Sequence, residues 1–161
     1  MTLVNAAEFR VTRHRFWQTG DQMVRRPDGK YRMVKHPNWG LQEPSKPTFA
    51  GKVYILINGG SFSTTAEFLS QAHYHKRATF IGEESGGGYY GNTSGGVPAL
   101  TLPNTRLTLY VPLVRYNLAV RGHEAATHGV FPDHPIHYTI DELLAGTDKE
   151  LTLALELARK Q

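Results

Sequence analysis

VYILINGGSFSTTAE, residues 53–67, combines a strand, a tight turn and the start of a helix. Val53–Ile57 is an unbroken β-prone apolar run, which predicts a strand buried on both faces, as in a parallel sheet. Asn58–Gly60 comes next, and glycine permits backbone angles with positive φ, so we expect a sharp turn. Thr64 precedes Glu67 by three residues, a spacing that predicts a capping box at a helix start.

The residues after this stretch complete a strand–helix–strand unit. Basic residues His75–Arg77 suit the negative end of a helix, so the helix is predicted to stop there. Ala78–Ile81 reads as a second short strand, and a crossover of this kind is right-handed by default. The expected apolar stripe of the helix consists of Thr65, Phe68, Leu69 and Ala72. The pattern predicts an α/β fold.

Length and composition limit the possibilities further. A chain of 161 residues that is 40% apolar suits one core of ordinary size. Cysteine is absent, which excludes disulfides, thiolate zinc sites and cysteine nucleophiles. No apolar run approaches the roughly 20 residues that cross a bilayer. The N-terminus does not read as a signal peptide.

The first fifty residues differ from the rest in charge and texture. Residues 1–50 carry nine Lys/Arg and four Asp/Glu, whereas residues 51–161 carry nine and ten. No zinc-finger spacing, RNA-binding motif or long basic helix accompanies the positive charge, so we expect no nucleic-acid partner. Gln22–Arg25 and Tyr31–Val34 are predicted to form a hairpin. We therefore divide the chain into a basic, loop-rich segment, 1–50, and a second part, 51–161, that contains the strand–helix–strand unit.

The region after the second strand is rich in glycine. Seven glycines between Gly82 and Gly96 predict a long flexible loop of functional importance. Tyr89 and Tyr90 lie in this loop, and two roles are open for them: lining a groove for an extended peptide, or only covering an edge of the core. Leu107–Val111 alternates between apolar and polar residues, which predicts a strand.

Two short helices are predicted at the C-terminal end. Thr139 with Glu142 forms a capping box for the first, which should run through Leu144. Thr147 with Glu150 forms the second box by the same pattern. The expected apolar stripe of the last helix consists of Leu151, Ala154, Leu155 and Ala158.

A serine at a strand–glycine–helix turn has two interpretations. Free N–H groups and the positive dipole end at a helix start stabilise an oxyanion, which is what a serine nucleophile requires. Serine is equally common there as a cap, but Thr64 already accounts for capping and leaves Ser61 and Ser63 unassigned. Phosphate binding is the other alternative. The turn lacks the P-loop lysine and the G-x-G-x-x-G spacing that phosphate sites use.

Three segments carry a resemblance to a known family. Residues 53–68 resemble the nucleophile segment of the tail-specific, or C-terminal processing, serine peptidases. Residues 77–87, RATFIGEESGG, resemble the strand, Gly-Glu pair and Ser-Gly-Gly loop of that family. Residues 129–136, GVFPDHPI, resemble its late Gly-Val-x-Pro-Asp segment. The order and the spacing of all three agree with the family, and the resemblance covers about residues 50–160.

The resemblance implies a fold and a reaction. The fold would be crotonase-like, with repeated strand–helix units, and residues 51–161 would form the C-terminal part of the catalytic domain. Ser63 would attack peptide bonds of unfolded or C-terminal protein segments through an acyl-enzyme. Thr64 competes for the aligned position because Ser63 lies four residues before Glu67. The expected substrate-binding glycines are Gly59, Gly60, Gly86 and Gly87.

The resemblance also implies the surroundings of the enzyme. Polypeptide is the expected substrate, and neither a cofactor nor a metal is expected. An exported, periplasmic or cell-envelope location is expected from the family. The alternative function is a non-catalytic module of the same fold that binds apolar ligands or peptides.

The general base is the missing component. No lysine lies between Arg77 and Arg106, which argues against a Ser–Lys dyad. His14 and His36 lie upstream but not in a matching motif. We expect the upstream half of the catalytic domain to be missing, truncated or supplied by another chain, for example in a homo-oligomer. Glu124 is the candidate supporting acid, and Glu83 is its alternative.

The segment 123–128 invites a zinc interpretation. Its two histidines, His123 and His128, are five residues apart, whereas a zincin helix needs them four apart. The flanking glycines also indicate a loop and not a helix. We therefore expect no metal site here.

Overall fold

The computed structural model describes residues 23–34, 43–93 and 97–160. Two compact units divide the chain. One contains the described residues before Ala50 together with those of Thr93–Tyr116, and the other contains Ala50–Asn92 together with Asn117–Gln161. The elements run in the order β1 (Met23–Arg25), β2 (Tyr31–Met33), β3 (Tyr54–Ile57), α1 (Thr64–Tyr74), β4 (Thr79–Gly82), β5 (Gly91–Asn92), β6 (Ala99–Thr101), β7 (Thr108–Tyr110), β8 (Tyr116–Asn117), β9 (His134–Pro135), α2 (Ile140–Leu144) and α3 (Lys149–Arg159).

The first unit contains two antiparallel strand pairs. β1 pairs with β2 in the register Met23 to Met33, as the hairpin prediction required, although Gln22 lies outside the described residues. The turn is closed by the Arg26 N–H, which donates to the Lys30 carbonyl over 2.7 Å. β6 pairs with β7, so the strand predicted over Leu107–Val111 is confirmed at Thr108–Tyr110. The sequence pattern did not indicate its partner strand, β6.

A three-stranded parallel sheet forms the centre of the second unit. β4 lies in the middle, with β3 on one side and β9 on the other. The predicted strand–helix–strand unit is therefore confirmed, and β9 is an addition from a stretch that reads as loop. Burial of β3 on both faces was a wrong prediction, because Ile57 is buried whereas Leu56 is 41% exposed. Neighbouring side chains of a strand point to opposite faces, and only one face of β3 meets the core.

The core of this unit lies between the sheet, α1 and the later loops. α1 contributes Leu69 and Ala72 from the predicted stripe. Phe68 was placed on that stripe too, but it is 60% exposed, and Thr65 is exposed as well. The helix is thus rotated so that Ala66 and Ser70 face inward instead. The buried core cluster consists of Ile57, Leu69, Ala72, Phe80, Tyr89, Val120 and Val130.

Two hydrogen bonds fasten the late segment to the central strand. The Asp133 carboxylate accepts from the Phe80 N–H at 2.8 Å. The Ile136 N–H donates to the Gly82 carbonyl, also at 2.8 Å. The aspartate of the Gly-Val-x-Pro-Asp segment therefore has a structural contact with β4, at the strand that leads into the glycine-rich loop.

The C-terminal helices match the predicted positions but not all of the predicted caps. α2 begins at a complete capping box of Thr139 and Glu142, as expected. α3 begins one residue later than the Thr147 box requires, because Asp148 is the N-cap and accepts from the Leu151 N–H at 2.8 Å. The four residues of the predicted apolar stripe all lie on α3, but the stripe is not buried, since Leu151 is 46% and Leu155 47% exposed.

The described residues confirm an α/β fold with small sheets. Repetition of strand–helix units in the crotonase manner stays a prediction. The helices in this part of the chain are all too short or too polar to span a bilayer.

Candidate active site

The turn between β3 and α1 is held by its own side chains. The Asn58 Oδ1 accepts from the Gly60 N–H at 2.9 Å, and the Asn58 carbonyl accepts from the Ser61 N–H at 2.8 Å. The Ser61 Oγ accepts from the Asn58 N–H at 3.3 Å. Ser61 therefore has a structural task inside the turn, and the sequence pattern alone did not separate it from Ser63.

Ser63 has the most unusual backbone of this region. Its φ is 58° and its ψ is −130°, a combination that L-residues rarely adopt. Such strain costs of the order of 1–3 kcal/mol and persists only where the surrounding structure imposes it. The side chain is exposed and makes no capping hydrogen bond to the helix, although Ser63 occupies the N-cap position. A strained serine between strand and helix is the geometry of a nucleophile elbow.

The start of α1 offers free hydrogen-bond donors beside Ser63. The Glu67 N–H donates to the Ser63 carbonyl at 3.1 Å, which is the first bond of the helix. The N–H groups of residues 64–66 therefore have no carbonyl partner within the helix. These donors and the positive end of the helix dipole favour negative charge at this point.

The capping box predicted from Thr64 and Glu67 does not form. Thr64 is the first residue of the helix and not its cap, so the strained elbow position belongs to Ser63. The Glu67 Oε1 accepts instead from the Asn92 side-chain amide at 2.6 Å. This glutamate therefore links α1 to β5, which lies inside the predicted glycine-rich loop.

The glycine-rich loop lies directly against the elbow. A Cβ added at Gly86 would lie 2.0 Å from the Gly59 carbonyl oxygen. A Cβ added at Gly87 would lie 2.3 Å from the Ala66 Cβ, 3.3 Å from the Phe62 Cα and 3.4 Å from the Ser63 nitrogen. Glycine is thus required here for close approach. Residues 86–87 of the loop predicted to be flexible are therefore packed tightly against the elbow.

The late segment closes the other side of the loop. The Gly129 N–H donates to the Glu84 Oε1 at 2.8 Å. The Val130 N–H donates to the Ser85 Oγ at 2.8 Å, and the Ser85 N–H donates back to the Val130 carbonyl at 3.0 Å. Ser85 is buried, and both its hydroxyl and its backbone N–H are satisfied by these hydrogen bonds to Val130.

An open cavity of about 370 Å³ lies where the loop meets the late segment. His128 is its one aromatic wall residue. The His128 Nδ1 lies 2.6 Å from the Gly129 carbonyl oxygen, and because a carbonyl can only accept, Nδ1 donates this hydrogen bond. The lining consists of Glu84, Ser85, Gly86, Gly87, Gly88, Thr127, His128 and Gly129.

Tyr89 anchors the end of the loop in the core. It is only 2% exposed, and its hydroxyl lies 2.8 Å from the His73 Nδ1 on α1. Burial, with a smaller contribution from Tyr74, raises the pKa of the Tyr89 phenol. The expectation that Tyr89 lines a peptide groove was wrong, because a bulky ring with an available partner is stabilised by burial.

The remaining predicted site residues lie in the following places. Gly59 and Gly60 form the elbow turn, and Gly86 and Gly87 line the cavity. Their role in substrate binding stays a prediction.

The predicted acids are exposed. Glu124 accepts from the Gly122 N–H at 3.2 Å, and hydrogen bonds from its own N–H and that of Gly122 lower the pKa of its carboxyl. Glu83 is also exposed. Both stay predictions as supporting acids, and His14 and His36 lie outside the described residues.

Histidines in the 123–128 segment pack against aromatic rings. The His123 ring lies 4.8 Å from the Tyr89 ring, and the His128 ring lies 4.7 Å from the Phe131 ring, measured between centroids. Among residues 23–34, 43–93 and 97–160, no group of three or more His, Asp or Glu side chains could hold a metal ion.

Comparison with known proteins identifies the family. No curated protein matches the chain significantly. A crystal structure described as a "putative peptidase" from Parabacteroides merdae ATCC 43184 shares 25% identity over 71% of this chain, with a TM-score of 0.49. The match covers 34% of that protein, so this chain spans about a third of its length. The model of peptidase family S41 matches residues 4–136, and the chain therefore belongs to peptidase family S41.

Proposed function

We propose that this chain carries the nucleophile of a serine peptidase and that Ser63 is that nucleophile. The observation that carries the proposal is the backbone of Ser63, a non-glycine residue at φ 58° and ψ −130° whose hydroxyl is exposed and makes no cap bond. A serine that served only as a cap would adopt an extended backbone and bond to the helix. The strained backbone of Ser63 is not accompanied by any capping bond that would stabilise the helix, and such strain supports a catalytic role.

The surrounding donors suit the reaction. The Ser63 Oγ attacks the carbonyl carbon of the peptide bond, and its proton passes to a general base. The oxyanion that forms is stabilised by N–H groups at the start of α1. The C–N bond then breaks, the amine leaves with a proton, and water hydrolyses the ester on Ser63. Membership of peptidase family S41 supports the peptide bond as the target.

The base is proposed to come from residues that the structure does not describe. Within the described part of the chain, the Ser63 hydroxyl makes no hydrogen bond. We place the base on upstream residues of the catalytic domain or on a second copy of the chain. The substrate is proposed to be an extended polypeptide, because family members act on peptide bonds and a strand can add to a sheet edge.

Covalent labelling tests the nucleophile. A fluorophosphonate probe should modify Ser63, as read by peptide mass mapping, and Ser63→Ala should lose all labelling. Thr64→Ala is the matched control, since it removes the hydroxyl next along the chain and should leave labelling intact. Only an activated nucleophile reacts, so the experiment also separates a peptidase from a binding module of the same fold.

Circular dichroism should show little loss of folding in Ser63→Ala, because the side chain is exposed. Labelling that survives in Ser63→Ala but disappears in Thr64→Ala would transfer the nucleophile to Thr64. An unlabelled Ser63, both in this chain and in the protein with any natural upstream sequence restored, would contradict the proposal.

A further inference from the structure

The open cavity shares a wall with the elbow. Gly86 and Gly87 line the cavity and also contact the elbow, because an added Cβ would lie 2.0 Å from the Gly59 carbonyl oxygen at Gly86 and 3.4 Å from the Ser63 nitrogen at Gly87. The cavity therefore adjoins the elbow, where the proposed substrate binds. The cavity volume of about 370 Å³ is at the lower end of the roughly 300–1,000 Å³ typical of ligand sites, which suits a single side chain.

Glu84 makes the cavity negative. It is the one Asp or Glu in the lining, and no Lys or Arg lines the cavity. Its Oε1 is held by the Gly129 N–H, which orients the carboxylate, and neither of the ion pairs among the described residues involves it. A carboxylate that is positioned by the backbone but has no cation beside it favours a cationic ligand.

His128 gives the cavity a planar wall. Its ring is held by the bond from Nδ1 to the Gly129 carbonyl and by the Phe131 ring, whose plane is tilted by 35°. A guanidinium group stacks flat on aromatic faces and donates two parallel bonds to a carboxylate, whereas an ammonium group is a compact charge that cannot form this planar, two-pronged contact. The two walls together therefore fit arginine better than lysine.

We propose that this cavity binds an arginine side chain of the peptide substrate beside the scissile bond, with Glu84 as the residue that determines specificity. The inference rests on the proposed peptidase function, because it takes the peptide to be bound at Ser63. Glu84 contacts the substrate side chain and takes no part in bond breaking.

Binding to an inactive variant tests the cavity separately from catalysis. Ser63→Ala is mixed with a fluorescent short peptide of alanine, glycine and serine around a single arginine, and affinity is measured by fluorescence anisotropy. The comparison peptide carries citrulline, which keeps the shape of arginine but lacks its charge. Arginine should bind roughly tenfold more tightly, the effect of one charge-assisted contact, and added salt should reduce the difference.

Two glutamine variants in the Ser63→Ala background provide the decisive comparison. Glu84→Gln keeps an acceptor for the Gly129 N–H but removes the charge, so the preference for arginine should disappear. Glu83→Gln removes the neighbouring exposed carboxylate, which does not line the cavity, and should keep the preference.

The possible results separate this inference from the proposed function. Equal affinity for the two peptides, no measurable binding of the arginine peptide, or a preference that survives in Glu84→Gln overturns the arginine site, even if the fluorophosphonate labels Ser63. A preference that Glu84→Gln removes and Glu83→Gln keeps supports the site. Such a preference with an unlabelled Ser63 would contradict only the proposed nucleophile.

Discussion

Two helices of this protein begin with the same sequence pattern but not with the same structure. Thr64–Glu67 and Thr139–Glu142 both place a threonine three residues before a glutamate. At α2 the Thr139 Oγ1 accepts from the Glu142 N–H at 3.2 Å, and the Glu142 carboxylate accepts from the Thr139 N–H at 2.8 Å. At α1 neither bond forms.

The difference shows which forces act at each helix start. α2 is exposed, with Ile140 at 75%, so its start is determined by hydrogen bonds within the capping box and by the contact of Glu142 with Lys149, without packing against the core. The start of α1 lies under Gly86 and Gly87, and the preceding strand is paired with β4. Because of these contacts, α1 begins at Thr64, one residue earlier than a helix capped by Thr64 would begin. Ser63 is left at the N-cap position with a strained backbone and no capping bond. A local pattern therefore predicts a cap well only where tertiary contacts are weak.

Gly87→Ala should have the largest effect, because it breaks the packing that imposes the elbow. The new Cβ would meet the Ala66 Cβ at 2.3 Å, and overpacking of this kind costs about 3 kcal/mol of the free energy of unfolding. Labelling of Ser63 should fall with it. Urea denaturation and fluorophosphonate labelling are the measurements.

Gly59→Ala is the matched control in the same turn, since an added Cβ there meets nothing within 4 Å. It should change stability much less. Ala66→Gly combined with Gly87→Ala removes the colliding methyl group and should recover part of the loss. Equal costs for Gly59→Ala and Gly87→Ala would show that close approach does not hold the elbow.

Ser63→Gly tests the strain at the elbow directly. Glycine adopts positive φ without a steric penalty, whereas Ser63→Ala keeps the strain. We expect Ser63→Gly to be more stable than Ser63→Ala by about 1 kcal/mol, after the entropy cost of glycine is subtracted from the relief of strain. Thermal and urea unfolding of the two inactive variants give the comparison, and a less stable glycine variant would refute it.

Threonine-to-alanine changes sharpen the contrast between the two helix starts. Thr139→Ala removes a cap that bonds to the Glu142 N–H, and such caps contribute about 1 kcal/mol. Thr64→Ala lies in the first turn, where the side chain is exposed and caps nothing, so stability should hardly change. Similar losses in the two variants, measured by urea unfolding, would mean that the capping difference is not real.

Acid should weaken the α2 cap, with the smallest effect of the four. The hydrogen bond from the Lys149 Nζ, followed by that from the Thr139 N–H, lowers the pKa of the Glu142 carboxyl. A lowered folded-state pKa stabilises the fold at pH above the unfolded-state value, and this contribution is lost as pH falls through the folded-state value. Urea midpoints measured from about pH 7 down to about pH 3 should decline less in Glu142→Gln than in the unchanged chain.

Lys149→Gln provides the second arm of this test, because it removes the main cause of the lowered pKa while keeping Glu142. Its pH dependence should lie between those of the unchanged chain and Glu142→Gln. An unchanged slope in both variants would show that Glu142 does not contribute to the acid sensitivity.

Much of the second unit was predictable, because its signals are local. The apolar run at Tyr54–Ile57, the helix from Thr64 and the strand at Thr79–Gly82 follow from hydrophobic pattern and from turn residues. β9 escaped prediction, since two residues carry no periodicity and their pairing with Ile81–Gly82 depends on contacts far along the chain. Phe68 was predicted to face the core but is exposed, because the face that α1 buries also depends on contacts with distant segments.

The candidate site also has features that the sequence predicted and features that depend on tertiary contacts. Sequence pattern by itself determined that a strand, a glycine turn and a helix meet near Ser63, and the resemblance to a known family added the late Gly-Val-x-Pro-Asp segment. Tertiary structure alone decided that Ser63 and not Thr64 occupies the strained position, that Glu67 bonds to Asn92, and that Glu84 lies in a cavity beside the elbow. Patterns record the preferences of neighbouring residues, whereas strain and close approach arise only when distant segments are packed together.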